Sequence, residues 1–505
     1  MEPAPLARKH PEADISRTAL WGRTALCRGL PPLLAVVLGL WGLERGPAGG
    51  SMWRDESVTV QVAHRPLGDL PGLLGHVDAV HGLYYLLMHA VYGVWDGGLW
   101  ALRLPSVAAT ALAAAGVAAV AHRLAGPGAG TPAGPRSGTR AGTRAGAAVI
   151  AGSAYALLPP VQMYAQEGRS YALVACAVVW ATYLMLAERW PAYAVVLLLG
   201  CWLHEFAVLG LLAHACAAWR SRGWRWSAAA VVAALLPLAV LSARQARQQL
   251  GWLGRPSWQD WTAYGVLVVA VLLLARGLRE ERRALRVAVP LALLPPGLLM
   301  TVSLVHPWYV DRYVLYALAG LALLIGLRLA PADGVWARPV RARPIGARAV
   351  WASVLAAVLL VAWGGWSGRL RTPESRKDDV LAVAAAVRER ARPGDAVLFM
   401  PARRREWLLS SPGTYAPLRD LALARTPTAS HSLWGTELPA AGIRARLAGA
   451  ARVVALLDPP GQPLDPYPAE AAKREALAAG FRLCSVTGVR GARVAVYGRT
   501  DADCG

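Results

Sequence analysis

Apolar segments of about the length of a membrane span recur along most of the chain, separated by short polar or basic stretches. They lie at residues 26–43, 100–123, 146–160, 170–188, 190–205, 206–219, 225–242, 260–276, 286–305, 313–330 and 349–366. Each is near the roughly 20 residues that a helix needs to cross a bilayer, although several are short. The pattern predicts an all-α polytopic membrane bundle with about 11 transmembrane helices.

The pattern changes after residue 368, where apolar runs become short and are bounded by turn residues. The sequence there predicts helices at 378–392 and 469–479 and strands at 396–400, 452–457, 481–486 and 492–497. These elements indicate a small α/β domain over residues 369–505. A cytoplasmic tail (1–25) and the membrane domain (26–368) complete the predicted organisation.

Basic residues indicate which ends of the helices face the cytoplasm. The segment 82–95 is ambiguous, because counting it as a span would move the following basic loops outside. If it lies along the outer interface, the basic loops all become cytoplasmic; they are 123–145, 219–225, 276–286 and 328–348. The loop 44–99 and the C-terminal domain are then exterior, and the N-terminus is cytoplasmic. Arg244, Arg247 and Arg255 are exterior exceptions that either bind an anionic ligand or meet lipid headgroups.

Composition supports a membrane protein. The chain is 55% hydrophobic and only 17% charged, with a mean hydropathy of +0.36. Its net charge of +22 lies in clusters between apolar segments, and no interleaved aromatic and basic run suggests a nucleic-acid partner. None of the six cysteines forms a CxxC pair, although Cys484 and Cys504 could join in an oxidising exterior compartment. Abundant Arg, Ala and Gly with scarce Lys suggest a GC-rich bacterial gene and a plasma membrane.

Candidate chemistry is concentrated in the first exterior loop. Asp55 and Glu56 lie a few residues after the first span, at the predicted outer face of the membrane, where ionisable groups are costly unless they have a role. A carboxylate there can accept a proton or hold a divalent cation against a phosphate, but Asp55 could also cap a helix. The same loop adds Asp78, His81 and the Tyr84–Tyr85 pair, for which helix capping and an interfacial aromatic belt are the structural alternatives.

Several motifs together resemble the GT-C superfamily of membrane glycosyltransferases, with the protein O-mannosyltransferase and aminoarabinose transferase type (family 39) nearest. The motifs, in chain order, are WRDE at 53–56, DAVHGLYYLLMHAVYGVW at 78–95, LWALRLPS at 99–106, YAQEGRSYAL at 164–173, LHEF at 203–206 and HPWYVDRYVLYALAGLALL at 306–324. The resemblance covers roughly residues 26–370. It implies transfer of a sugar, with inversion, from a polyprenyl phosphate to an exterior acceptor that is a protein, a polysaccharide or a lipid.

The same resemblance implies roles for individual residues. Asp55 corresponds to the catalytic carboxylate, and Glu56 to the second member of the acidic pair. Arg169 and Arg312 lie where a lipid phosphate would enter, although snorkelling at helix ends would also place them there. His306 is a further candidate for substrate contact. The sequence offers no metal-ligand motif, so no cofactor is required and a divalent cation stays open.

Two other classes of function remain as alternatives. A transporter or flippase would be expected to carry charges deep within its spans and two repeated halves, and neither is evident. A protein that only binds a polyprenyl-phosphate sugar would not need the Asp55–Glu56 pair. The clustering of carboxylates in one exterior loop favours an enzyme.

Overall fold

The computed structural model describes residues 29–43, 50–125, 137–250, 253–276, 278, 281–330, 360–500 and 504. Its N-terminal part is helical. The helices are α1 (Gly29–Leu40), α2 (Arg54–Ala63), α3 (Leu70–His76), α4 (Gly82–Val94), α5 (Gly98–Leu124), α6 (Ser137–Leu157), α7 (Pro159–Ala165), α8 (Tyr171–Leu186), α9 (Trp190–Leu203), α10 (Leu209–Ala218), α11 (Arg222–Leu250), α12 (Trp258–Arg276), α13 (Arg282–Val302), α14 (Ala317–Leu329) and α15 (360–369). Short 3₁₀ turns lie at Leu67–Asp69, Ala79–His81, Glu205–Val208 and Asp311–Val314.

The predicted helical membrane bundle is confirmed. Within the described residues, α5, α11, α12 and α13 are long and apolar enough to cross a membrane, and α6 with α7 would make a fifth span bent by 66°. Shorter apolar helices occupy most of the other predicted segments. The span predicted at 349–366 lies outside the described residues up to 359. The sidedness of the bundle stays a prediction.

Two helices show how the bundle meets lipid and how it packs internally. α12 is almost entirely exposed in the isolated chain and carries apolar residues such as Val266 and Leu273 outward, as expected of a lipid-facing helix. α14 instead contacts its neighbours through glycines. A Cβ built on Gly320 would lie 2.5 Å from the Ala288 carbonyl oxygen on α13, and one on Gly326 would lie 2.6 Å from the Ala147 oxygen on α6. Small residues at these positions therefore permit close helix packing.

The C-terminal part is a small α/β domain, also as predicted. Its helices are α16 (Val380–Arg390), α17 (Pro412–Tyr415), α18 (Ala440–Ala448) and α19 (Pro468–Gly480), and its strands are β1 (Ala396–Met400), β2 (Arg419–Asp420), β3 (Leu423–Arg425), β4 (Thr436–Glu437), β5 (Arg452–Leu457), β6 (Phe481–Val489) and β7 (Ala492–Arg499). Five strands form a mixed sheet in the order β2-β1-β5-β7-β6, with β1 parallel to β5 and β7 antiparallel to both of its neighbours. A 3₁₀ segment, Ala402–Ser410, follows β1. Cys484 and Cys504 form a disulfide.

The C-terminal domain is docked on α2. The Met52 carbonyl accepts a hydrogen bond from the Val380 amide at 2.6 Å, and the Arg54 amide donates to the Asp378 carboxylate at 2.7 Å. Further along α2, Gln61 Nε2 donates to the Glu406 carbonyl at 3.2 Å. These contacts join residues more than 300 positions apart, so the domain forms one wall of the region around α2.

Two sequence expectations need correction. Residues 123–145 are predicted to form a basic loop, but α6 begins at Ser137 because the helix extends back from its apolar part. The Tyr84–Tyr85 pair does not form an interfacial belt. Both side chains are fully buried, because α4 packs against α2 and α9.

Candidate active site

A fully buried ion pair fixes the helix that carries the candidate catalytic carboxylate. Glu56, on the first turn of α2, receives two hydrogen bonds from Arg103 on α5, from Nε at 2.7 Å and from Nη2 at 2.8 Å. The Gly168 amide donates a third at 2.8 Å. Burial raises the pKa of Glu56, but the charge and hydrogen bonds of Arg103 outweigh it and hold this pKa below its ordinary value. Glu56 is therefore an ionised anchor beneath the site.

Asp55, the next residue along the same turn, points the other way. Its side chain is 26% exposed, and one oxygen lies 3.4 Å from Arg312 Nη2. Because successive residues on a helix are about 100° apart, anchoring Glu56 in the bundle turns Asp55 toward the open side. Asp55 is the accessible member of the acidic pair.

Aromatic rings hold Arg312 in place. Its guanidinium carbon lies 5.4 Å from the ring centres of Trp53 and Tyr171 and 5.6 Å from that of Tyr313. Its Nε also donates to the Tyr171 hydroxyl at 3.1 Å. Nη2 is directed at Asp55, and the side chain is 13% exposed. The ring contacts make Arg312 a positioned cation rather than a side chain snorkelling into lipid.

Arg169 is the second cation of the site. It is 5% exposed and donates from Nη1 to the Asp55 carbonyl at 3.2 Å and to the Thr59 hydroxyl at 3.3 Å. Its buried Nε has no hydrogen-bond partner within the described part of the chain. A buried guanidinium with an unused donor is suited to an anionic ligand.

Asp78 and two histidines form the adjacent side of the site. Asp78 has a left-handed backbone (φ 63°) and accepts a hydrogen bond from the Tyr85 hydroxyl. Burial raises its pKa above the ordinary value. Burial, with the nearby Arg169 charge, lowers the pKa of His81 well below its usual range, so this imidazole is neutral at pH 7. His81 and His204 each have a buried Nδ1 without a partner among the described residues.

These groups open into a cavity of about 1000 Å³ between the bundle and the C-terminal domain. The bundle side contains Asp55, Asp78, His81, Arg169, His204 and Arg312. The domain side contains Arg403 and Glu406 from the 3₁₀ segment, Trp434, and the proline-rich loop 462–467. The cavity is within the size range of small-molecule sites, and polar groups that could fix a ligand line both of its sides.

One ion pair crosses the cavity wall. Arg54 Nε lies 2.8 Å from Glu406 Oε1, and the Glu406 side chain is only 4% exposed. Burial raises the pKa of Glu406 to about 7, with Asp55 and Asp378 acting in the same direction against Arg54. The C-terminal domain therefore contributes a buried carboxylate to the same cavity as Asp55.

The structure brings together five of the eight residues that the sequence singled out: Asp55, Asp78, His81, Arg169 and Arg312 all line the cavity. Three do not line it. Glu56 lies beneath the site, Tyr84 is fully buried in the core, and His306 is exposed and stacked on Trp308 at 5.2 Å.

The sequence reasoning missed Arg103 and Glu406. Arg103 had a signal, because a charged residue within an apolar span needs a partner. No sequence signal indicated that Glu406 lines the cavity, because its partner Arg54 is about 350 positions away in the sequence.

The side chains of the candidate site were also compared with what a metal ion requires. Within the described residues, no three His, Cys, Asp or Glu side chains come together in a way that could hold a metal ion. We therefore assign no metal ligand and route no chemical step through a cation.

Comparison with known proteins bears on the fold. No protein-family model matches the chain, and no curated protein matches it. A crystal structure of ArnT from Cupriavidus metallidurans in the apo state matches with a TM-score of 0.51 and 13% identity, over 96% of this chain and 98% of that one. The chain therefore shares its fold with ArnT. A second ArnT structure, bound to undecaprenyl phosphate, has a TM-score of 0.49, 14% identity, and coverage of 94% and 98%.

Proposed function

We propose that this ArnT-fold protein is an inverting membrane glycosyltransferase that moves a sugar from a polyprenyl phosphate to an exterior envelope acceptor. The observation that carries the proposal is the exposed Asp55 carboxylate beside two held guanidinium groups, Arg169 and Arg312, in one cavity. A base next to paired phosphate-binding cations is what sugar transfer from a phosphate requires. Mannose or a related sugar is the donor sugar that the motif resemblance favours.

The proposed reaction is a single displacement at the anomeric carbon. Asp55 takes the proton of the acceptor hydroxyl or amine, and the acceptor atom forms a bond to the anomeric carbon from the face opposite the phosphate. The bond from that carbon to the phosphate oxygen breaks, and its electron pair leaves with the polyprenyl phosphate. Arg169 and Arg312 neutralise the charge that grows on that oxygen.

The Arg312–Asp55 contact suggests an order of binding. While Arg312 Nη2 contacts one carboxylate oxygen of Asp55 at 3.4 Å, that oxygen is partly blocked from the acceptor. A phosphate that takes over the Arg312 hydrogen bonds would release Asp55 from this pairing. We therefore expect the donor to bind before the acceptor is activated.

The C-terminal domain forms the acceptor side of the proposed site. The loop 462–467 places Leu464 (74% exposed) at the cavity, and Tyr467 at its end is 68% exposed. Arg403 holds this loop, with its Nη1 3.5 Å from the Asp465 carboxylate. An anchored loop with exposed apolar side chains is suited to contact an acceptor that approaches from outside the bundle.

The test is sugar release and transfer by the purified full-length protein in detergent. A panel of radiolabelled polyprenyl-phosphate sugars is supplied with candidate acceptors, and wild type is compared with Asp55→Asn. We expect one donor to react and its rate to fall by about 10²- to 10⁴-fold in the variant, the usual contribution of a general base. Asp96→Asn is the matched control, because Asp96 is an exposed carboxylate near the same loop that does not line the cavity.

Each result has a clear meaning. Loss of reaction in Asp55→Asn with normal activity in Asp96→Asn supports the proposed base. Equal activity of all three proteins would remove Asp55 from that role. No reaction with any donor, from protein that still binds one of them, would favour a carrier or a binding protein.

A further inference from the structure

A second cavity lies at the opposite end of the bundle from Asp55. It has a volume of about 520 Å³ and is formed where α8 ends, α9 begins, α10 ends and α13 begins. α8 starts at Tyr171, which lines the candidate active site, and runs 16 residues to Leu186 in the second cavity. At about 1.5 Å per residue, this helix separates the two cavities by roughly 24 Å.

Three arginines on the first two turns of α13 line this cavity. Arg282, Arg283 and Arg286 are all exposed, and Arg282 and Arg286 share one face because they are four residues apart. Within the described residues, none of the three has an ion pair or a hydrogen bond from its guanidinium group. The cavity therefore collects three positive charges, opposed only by Glu188 in its own lining.

The backbone adds to the positive character of this cavity. α13 has 21 residues, no side-chain hydrogen bond to its N-terminal amides and no acidic residue in its first turn, although Glu281 occupies its N-cap position. The positive end of its helix dipole therefore coincides with the three arginines. Across the cavity, Glu188 ends α8 in a left-handed backbone conformation (φ 55°), and the amides of Glu188 and Arg189 donate to the Met185 and Leu184 carbonyls. This is a common way for a helix to end, and it fixes the position of the Glu188 backbone at the cavity.

The floor of the cavity is apolar. This floor is the buried part of the lining and consists of Met185, Leu186 and Val287. Ala217, Ala218, Trp190 and Ser221 complete the lining. An apolar floor beneath a basic rim matches a ligand with a phosphate at one end and hydrocarbon at the other. A purely soluble phosphate would use the rim and leave the floor unoccupied.

We propose that the second cavity binds a phosphate group, carried by the headgroup of an anionic phospholipid in the membrane leaflet at that end of the bundle. Arg282, Arg283 and Arg286 hold the phosphate, and the apolar floor receives the first part of the acyl chains. The site is separate from the proposed donor site at Asp55 and does not depend on the proposed function.

The test is lipid binding to the purified full-length protein, followed by native mass spectrometry as phosphatidylglycerol is titrated into detergent. Phosphatidylcholine serves as the neutral comparison, and inorganic phosphate tests for a soluble source. We expect tighter binding of phosphatidylglycerol than of phosphatidylcholine. The double variant Arg282→Gln/Arg286→Gln should weaken it by roughly 25-fold, because each arginine near anionic lipid contributes about fivefold.

A charge-matched variant separates a built site from a generally basic surface. Arg225→Gln/Arg328→Gln removes two exposed arginines at the same end of the bundle that do not line the cavity. The proposal requires this variant to bind phosphatidylglycerol much more tightly than the cavity variant does. Equal losses in the two variants, or equal binding of the neutral lipid by wild type, would overturn the proposal. Inorganic phosphate could also displace phosphatidylglycerol from wild type but not from the Arg282→Gln/Arg286→Gln variant. That result would support a phosphate site but would overturn the lipid headgroup as its ligand in favour of a soluble phosphate.

Discussion

Replacing Arg103 by methionine should destabilise the protein strongly, because it leaves Glu56 buried without its cation. Arg103 is 1% exposed and also donates from Nη2 to the Ser51 carbonyl at 2.5 Å and from Nη1 to the Leu43 carbonyl. The substitution therefore removes the partner of one buried carboxylate and of two carbonyl groups. Breaking a buried pair from one side costs about 3–5 kcal/mol, and we expect a loss in this range.

The loss should depend on pH, and its sign follows from the pKa of Glu56. In the wild type Arg103 lowers that pKa, so the stabilisation by Glu56 is present above the ordinary glutamate pKa and is lost as pH falls through the lower folded value. Without Arg103 the opposing effect of burial is uncompensated, and the folded pKa moves upward. The unfolding midpoint of Arg103→Met should therefore rise toward that of wild type as the pH is lowered from 8 to 5.

The assay is thermal unfolding of the detergent-solubilised protein at several pH values. Glu56→Gln/Arg103→Met removes the buried charge and should recover part of the loss at pH 8. Arg123→Met is the matched control on the same helix, because Arg123 is exposed and has long hydrogen bonds of 3.4 and 3.5 Å and a contact with the Tyr183 ring at 4.6 Å, but no ion pair within the described residues. A loss below about 1 kcal/mol in Arg103→Met, or one that does not vary with pH, would refute the reasoning, since such values are typical of a surface substitution.

Three further predictions concern the cavity. Arg312→Lys should raise the donor KM about tenfold or more in steady-state kinetics, because lysine cannot reproduce the two-atom grip of a guanidinium on phosphate; an unchanged KM would contradict this role. Burial raises the pKa of Glu406 to about 7 in the folded protein, so its contribution to stability is lost as the pH rises from the ordinary glutamate pKa through 7. Glu406→Gln removes this titration, and the unfolding midpoint of the variant should therefore change less with pH between 5 and 8. Leu464→Ala/Tyr467→Ala should lower transfer to the acceptor severalfold while hydrolysis of the donor continues, and an equal fall in both rates would argue against an acceptor role.

The fold could be largely predicted from the sequence because its signals are local. β1 and β5 occupy the predicted residues 396–400 and 452–457, since each is a short buried apolar run bounded by turn residues. The 3₁₀ segment Ala402–Ser410 was not predicted. Its sequence ARRREWLLS is strongly charged and reads as solvated, and its charges are buried only because they find partners in distant segments.

The candidate site was predicted less completely, for a related reason. The motif resemblance distinguishes Asp55 from Glu56, but nothing local in the sequence shows that Arg103 holds Glu56 in the bundle and leaves Asp55 accessible. Tyr84 and Tyr85 are likewise adjacent residues of one type. Asp78 has a left-handed backbone, and its carboxylate accepts a hydrogen bond from the Tyr85 hydroxyl. The Tyr84 hydroxyl is buried without a partner among the described residues. Helix orientation of this kind depends on tertiary packing.

The docking of the C-terminal domain on α2 has a consequence for how the protein is made. Asp55 is synthesised about 350 residues before Glu406 and about 400 residues before the loop 462–467, which complete the lining of its cavity. The amide and carbonyl of Met52 pair with Asp379 and Val380, so these backbone groups gain their partners only after more than 300 further residues have been made. A nascent chain that contains the described membrane helices but not yet residues 379–467 therefore has an incomplete cavity.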